Sequence, residues 1–232
     1  THECWAMLPA VAAVTERIRI GSLVAPTSVH HPAVLANRAA TIDHLSQGRL
    51  VLGIGAGWQI NEHHAYGIEL EAPGARVSRF EEAIQIIVSL LTEEYTDFHG
   101  DVYDVTLAPA EPKPVQSPLP ILVGTGSPRM LRITARHAQE WNTWGGPEMA
   151  GGALAKLLDA CTAVERDPST VWKSAQALVF ISDDPSFAAS IRDGDMGPRS
   201  IVGSTAELTD TIGKYVELGF DEFIVPDFTL GG

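Results

Sequence analysis

Apolar runs of strand length alternate with amphipathic helical segments along almost the whole chain. The run "IRIGSLV" (18–24) is followed by "HPAVLANRAATIDHLSQG" (31–48), whose spacing predicts a helix opened by Pro32 and closed at Gly48. "RLVLGIGA" (49–56) reads as the next strand. "SRFEEAIQIIVSLL" (78–91) then places Phe80, Ile84, Ile87 and Leu91 on one helical face, with a Ser78-to-Glu81 capping-box spacing. "PILVGTG" (120–126) is a strand leading into "SPRMLRITARHA" (127–138), a helix with Ser127 as its cap. "EWNTWG" (140–145) and "SAQALVFI" (174–181) flank the helical stretch "GGALAKLLDACTAVE" (151–165). Ser204 and Glu207 repeat the cap spacing before "LTDTIGKYVELG" (208–219), and "DEFIVPDF" (221–228) is the last strand.

Six predicted strands separated mostly by helices imply a parallel sheet, in a doubly wound fold or an eight-stranded barrel. Strands covered on both faces read as unbroken apolar runs, and "LVLGI", "ILVG" and "FIVP" do so. The proline-rich stretch from Tyr95 to Pro120 reads as an insertion on that scaffold.

Charge narrows the function. A formal net charge of −13 and a pI near 4.9 argue against an extended nucleic-acid or anionic-membrane surface. Cys4 and Cys161 have neither metal nor redox spacing, so reduced thiols are expected. No apolar run approaches the ~18 residues of a spanning helix, and no leader is visible. The expectation is a soluble cytoplasmic protein acting on a small molecule.

"VLGIGAGW" (51–58) suggests a dinucleotide loop but fails the test. That fingerprint needs G-x-G-x-x-G, and the third glycine falls on Trp58 counted from Gly53, or on Ile60 counted from Gly55. Glycines at a strand exit serve either a tight corner or close approach of a flat ligand to the backbone. "VGTGSPR" (123–129) is the best anion site, because a strand ends in glycines and Ser127 opens a helix with free N–H groups. Glu62, His63 and His64 are adjacent, so their side chains diverge and no metal site is expected. His30 and His31 read as loop residues at a pocket rim. Arg76 and Arg79, near Glu81 and Glu82, read as a solvated helix face. Lys113, Arg129 and Arg132 are too few to mark a groove for an anionic tail.

The stretches "ATIDHLSQGRLVLGIGAGW", "NEHHAYG", "RFEEAIQII", "PKPVQSPLPILVGTGSPRMLRITARHAQEWN" and "GFDEFIVPDF" resemble, in the same order, the bacterial-luciferase-like oxidoreductases. The likeness is to the branch that uses the deazaflavin coenzyme F420. It implies a single α/β domain over 1–232, a TIM-type (β/α)8 barrel with insertions. The six strands would be the third to eighth, with about two βα units lacking before Thr1, since a whole barrel needs about 250 residues.

The resemblance also implies site residues. Leu23, Val24, Ala56, Gly57 and Asn61 would contact the cofactor ring, and Leu23–Val24 would be a non-proline cis peptide. Gly126 and Ser127 would hold the cofactor phosphate. Trp58 stands where a related sugar-phosphate dehydrogenase has its catalytic acid, and is either a wall of the substrate pocket or a core aromatic. No residue is assigned as the catalytic acid or base, which the family carries after its second strand. The implied activity is hydride transfer between F420 and a small organic substrate, in a homodimer. The alternatives are an FMN-dependent monooxygenase of the same fold, or a cofactor-binding protein without turnover.

Overall fold

β1 (Ile20–Gly21) and β2 (Ala25–Pro26) are two pieces of what the apolar pattern predicts as one strand over 18–24. Both pair in parallel with β3 (Leu50–Gly55), Gly21 opposite Val51 and Ala25 opposite Ile54. Four residues on one strand therefore match three on the other. The extra residue makes a bulge at 22–24, a device that bends a strand and re-aims its side chains. The Leu23–Val24 peptide inside it is cis, as expected from the family resemblance. Prolyl cis bonds occur at Glu111–Pro112 and Ser117–Pro118, but not at Ala25–Pro26.

This architecture comes from a computed structural model that describes residues 2–227. The chain divides into two compact units, Thr1–Gly124 and Thr125–Gly232. In the first, β3 is buried at all six positions and also pairs in parallel with β6 (Ile121–Gly124), Leu52 opposite Ile121. Three long helices belong to this unit: α1 (Cys4–Val14), α2 (Pro32–Ser46) and α4 (Pro73–Thr92). Helix α4 buries Phe80, Ala83, Ile84, Ile86, Ile87, Leu90 and Leu91. It starts a turn and a half earlier than the Ser78–Glu81 spacing suggests. Ala72 is its N-cap and Pro73 its first residue, while the Ser78 hydroxyl donates back to Gly74 inside the helix. The stretch read as an insertion contains an antiparallel hairpin of β4 (Thr96–His99) and β5 (Asp104–Ala108).

In the second unit, β7 (Glu140–Trp144), β8 (Trp172–Gln176) and β11 (Glu222–Ile224) run parallel, with Asn142 opposite Ser174 and Phe223 opposite Ala175. The run "SAQALVFI", expected to be one strand, breaks at Ala177. Its second half is β9 (Leu178–Ile181), which leaves β8's sheet and pairs in parallel with β10 (Ser200–Gly203). The last strand ends at Ile224, and Phe228 of the predicted run lies outside the described residues. Helix α7 (Pro185–Arg192) lies between β9 and β10 in the chain, while α5 (Pro128–His137), α6 (Pro147–Ala163) and α8 (Thr205–Leu218) supply Leu131, Leu154, Leu157 and Tyr215 to a core around the fully buried Trp141. Trp141 stacks on Phe220 at 6.2 Å, and Tyr215 meets Phe223 at 4.7 Å. Burying a side chain such as Leu157 or Phe220 stabilises by roughly 1.5–3 kcal/mol. The Ser204–Glu207 capping box forms at the start of α8 as predicted.

Candidate functional site

The bulge determines what the glycines of β3 do. Val24 seats its side chain over the exits of β3 and β6. A Cβ on Gly55 would lie 2.8 Å from Val24 Cγ2, and one on Gly124 would lie 3.4 Å from Val24 Cγ1. A Cβ on Gly53 would fall 1.7 Å from the Ser22 carbonyl oxygen, and the Ser22 hydroxyl donates to the Gly53 carbonyl at 2.8 Å. The glycines at 53 and 55 thus make room for the bulge itself. Of the two uses of glycine at a strand exit, Gly53 and Gly55 serve close packing, with Val24 filling the space beside Gly55. Leu23, next to it, keeps 43% of its surface exposed.

Gly57 is held on three sides. Its φ of +85° belongs to the left-handed region that favours glycine, and a Cβ would sit 2.3 Å from Ser28 Oγ. Its carbonyl accepts from Arg76 Nη1 at 2.8 Å. Ser28 in turn meets His63 Nε2 at 2.8 Å, while His63 Nδ1 lies 2.8 Å from the Gln59 carbonyl. A carbonyl can only accept, so Nδ1 donates to it, and Nε2 is left to pair with the Ser28 hydroxyl. His63 is buried, whereas His64, its neighbour on α3 (Ile60–Tyr66), is exposed. Asn61 lies exposed in the first turn of that helix, and Ala56 is half-buried between β3 and Gly57. Trp58 is 78% exposed, which removes the core-aromatic alternative.

Arg76 and Arg79 do not form a solvated face. Arg76 holds the Gly57 carbonyl and its Nε is buried without a partner. Arg79 grips Glu71 with both arms, at 2.7 and 2.8 Å, rather than Glu81 or Glu82. That hydrogen bond draws the Glu71 carboxyl below its ordinary range and raises the guanidinium. Glu82 accepts instead from the backbone N–H groups of Asp101, Val102 and Tyr103, closing the turn before β5. His31 is the N-cap of α2, its Nδ1 accepting from the Ala33 N–H, and not merely a rim residue. Lys113 Nζ donates to the carbonyls of Leu90 and Glu93 at the end of α4.

The expected anion site belongs to the second unit. Gly126 and Ser127 are exposed, and nothing lies within 4 Å of a Cβ built on Gly126. Ser127 is the N-cap of α5, and its hydroxyl makes no capping bond. The same unit holds a buried polar row that the strand patterns hide. Gln176 Nε2 donates to Asn142 Oδ1, and Asn142 Nδ2 to Ser174 Oγ, each at 2.9 Å. The row lies on the face of β7 and β8 opposite Trp141 and Ala175. Amides and a hydroxyl can orient a ligand there but do not ionise near neutral pH. Among the described residues, no group of three or more His, Cys, Asp or Glu side chains is placed to hold a metal ion. Nor is any helix among them long and apolar enough to cross a membrane.

The sequence profile of the family described as luciferase-like monooxygenase matches residues 1–192. The chain belongs to that family. Within it, the chain is 38% identical over 168 residues to an uncharacterized protein of Mycobacterium tuberculosis, covering 72% of this chain and 58% of that protein. It is 32% identical over 185 residues to an F420-dependent glucose-6-phosphate dehydrogenase of Kineococcus radiotolerans, covering 78% of this chain and 54% of the relative. The chain thus spans between half and three-fifths of the length of these two luciferase-like relatives. Its fold superposes on a solved F420-dependent secondary alcohol dehydrogenase in complex with an F420-acetone adduct. The TM-score is 0.84 at 17% identity, over 97% of this chain and 78% of that one.

Proposed function

We propose that the protein is an oxidoreductase that transfers a hydride between coenzyme F420 and a small organic substrate. The observation that carries this reading is the bulged strand end. Val24 sits on Gly53, Gly55 and Gly124 with Leu23 exposed beside it, at the C-terminal ends of parallel strands, where barrel enzymes place their ligands. Relatives more than 30% identical bear F420-dependent names, and the family resemblance puts the ring at this bulge.

The residues of the first unit fit the ring of such a group. Leu23 and Val24 give an apolar support, Ala56 and Gly57 a backbone edge, and Asn61 an exposed amide for a polar rim. For the phosphate, the family resemblance implies Gly126 and Ser127 of the second unit, with the uncommitted Ser127 hydroxyl as a donor. When bound, the deazaflavin supplies the hydride chemistry; the protein supplies binding, orientation and exclusion of water. Leu23, Val24, Ala56, Gly57 and Trp58 have no group that ionises near neutral pH, so the accompanying proton moves through another side chain.

The family's description as monooxygenases supports a second reading, an FMN-dependent enzyme. Titration of the full-length protein with F420 and with FMN, followed by absorbance, separates the two. A saturable change with F420 and none with FMN supports the proposal. Saturation by FMN alone establishes the monooxygenase reading, and no change with either overturns both.

A further inference from the structure

The residues on both sides of Trp58 are pinned through their carbonyls. Arg76 Nη1 holds the Gly57 carbonyl at 2.8 Å, and the His63 Nδ1–H holds the Gln59 carbonyl at 2.8 Å. Ser28 ties the two anchors together, because its hydroxyl is hydrogen-bonded to His63 Nε2 and its Oγ occupies the space a Cβ on Gly57 would need. The anchors sit on different elements: Ser28 after β2, His63 on α3 and Arg76 on α4. His63 is only 4% exposed. Between these fixed carbonyls the Trp58 indole is bare to solvent, followed by the exposed Ile60.

A large apolar side chain held out at a strand exit, on a backbone fixed at both neighbours, is arranged to receive a ligand without first ordering a loop. The local charges indicate which ligand. Between residues 57 and 79 the only cations are Arg76 and Arg79, and both are engaged, with the Gly57 carbonyl and with Glu71. Glu62, Glu69 and Glu71 lie in the same stretch. Arg79 is neutralised by Glu71 and Arg76 is turned inward to a carbonyl, so three glutamates against two arginines leave the stretch net negative, which disfavours a phosphorylated or carboxylate substrate. An indole face offers stacking and apolar contact.

We propose that Trp58, positioned by a Ser28–His63–Arg76 clamp, is the specificity-determining residue and selects a neutral, planar aromatic carbonyl or alcohol rather than a sugar phosphate. This deepens the proposed function by naming its substrate class, and rests on that reading for the reaction but not for the binding.

The test uses full-length protein without cofactor, so that it stands or falls apart from the F420 titration. Acetophenone and glucose 6-phosphate serve as probes, with dissociation constants from ligand-observed NMR. Acetophenone should bind, glucose 6-phosphate should not, and Trp58→Ala should weaken acetophenone at least tenfold while Trp58→Phe stays within threefold. An unchanged constant in Trp58→Ala, or glucose 6-phosphate binding as well as acetophenone, overturns the assignment.

The clamp has its own readout. The fluorescence anisotropy of Trp58, isolated by subtracting the Trp58→Phe signal, should fall in Ser28→Ala and in Arg76→Ala, and acetophenone should bind several-fold more weakly in both. Arg76→Lys, which keeps a donor, should recover part of the loss. Anisotropy and affinity unchanged in folded Ser28→Ala and Arg76→Ala would show that the clamp positions nothing.

Discussion

Val24 Cγ2 occupies the place a side chain on Gly55 would take, 2.8 Å from its ideal Cβ position. The one-residue bulge between β1 and β2 delivers Val24 there, so strand register and glycine placement are two sides of one arrangement. Gly53 is the tighter partner, with the Ser22 carbonyl 1.7 Å from its would-be Cβ. Backbone cannot rotate aside as a side chain can. Gly53→Ala should therefore cost at least the roughly 1–3 kcal/mol typical of overpacking. Gly126→Ala, with no atom within 4 Å, should stay within about 0.5 kcal/mol. Urea unfolding of the two variants checks the contrast, and equal stabilities would contradict the bulge packing.

Gln116 explains why "PKPVQ" is recognisable. Its side-chain amide donates to Asp43 Oδ1 at 2.7 Å and to the Leu50 carbonyl at 2.8 Å, and its backbone N–H donates to Asp43 Oδ2 at 2.9 Å. Asp43 is fully buried on α2, so it depends on these donors. Gln116→Ala removes two of the three bonds and should destabilise by about 2–4 kcal/mol, the range for stripping partners from a buried charge-assisted network. In a cycle with Asp43→Asn the double variant should lose less than the sum of the singles. Strict additivity in chemical denaturation would refute the coupling.

Tyr215 links α8 to the loop after β7, its hydroxyl donating to the Gly145 carbonyl at 2.8 Å. Burial raises this phenol well above its ordinary value. The folded state thus keeps a proton that the unfolded chain releases near pH 10. The contribution is complete below that pH and is lost as pH rises, because unfolding then releases a proton. Tyr215→Phe should cost about 1 kcal/mol at neutral pH through the lost hydrogen bond. Above pH 10 the wild type should lose stability more steeply than the variant. Parallel alkaline stability curves would show that Tyr215 ionises as readily folded as unfolded.

What could be seen in the sequence was local or periodic. Buried parallel strands announce themselves as "LVLGI" and "ILVG", and the Ser204–Glu207 box is complete within four residues. Ser78–Glu81 has the same spacing but sits within a helix already begun at Pro73, so the proline was the stronger signal. Helix α1 is masked in the sequence by Pro9, which lies inside it, where a proline argues against helix. The bulge could not be seen in one strand, because register is a property of two. The place of Arg76 is hidden for a similar reason. Its acidic neighbours suggested surface pairing, but its partner is a carbonyl 19 residues away, which no charge pattern encodes.

Ser127 allows binding to be separated from folding. Aspartate caps helices as well as serine does, so Ser127→Asp should leave α5 intact and stability unchanged or slightly raised. Its carboxylate would place a negative charge where a cofactor phosphate is proposed to sit. F420 and FMN both carry a phosphate, so either should bind at least about tenfold more weakly, roughly 1.4 kcal/mol. Ser127→Asn adds the same bulk and capping capacity without charge, and should weaken binding less. Because like-charge repulsion at an exposed site is screened, the gap between Asp and Asn variants should narrow as salt is raised. Equal affinities for wild type and Ser127→Asp in absorbance titrations, with unchanged melting, would move the phosphate away from α5.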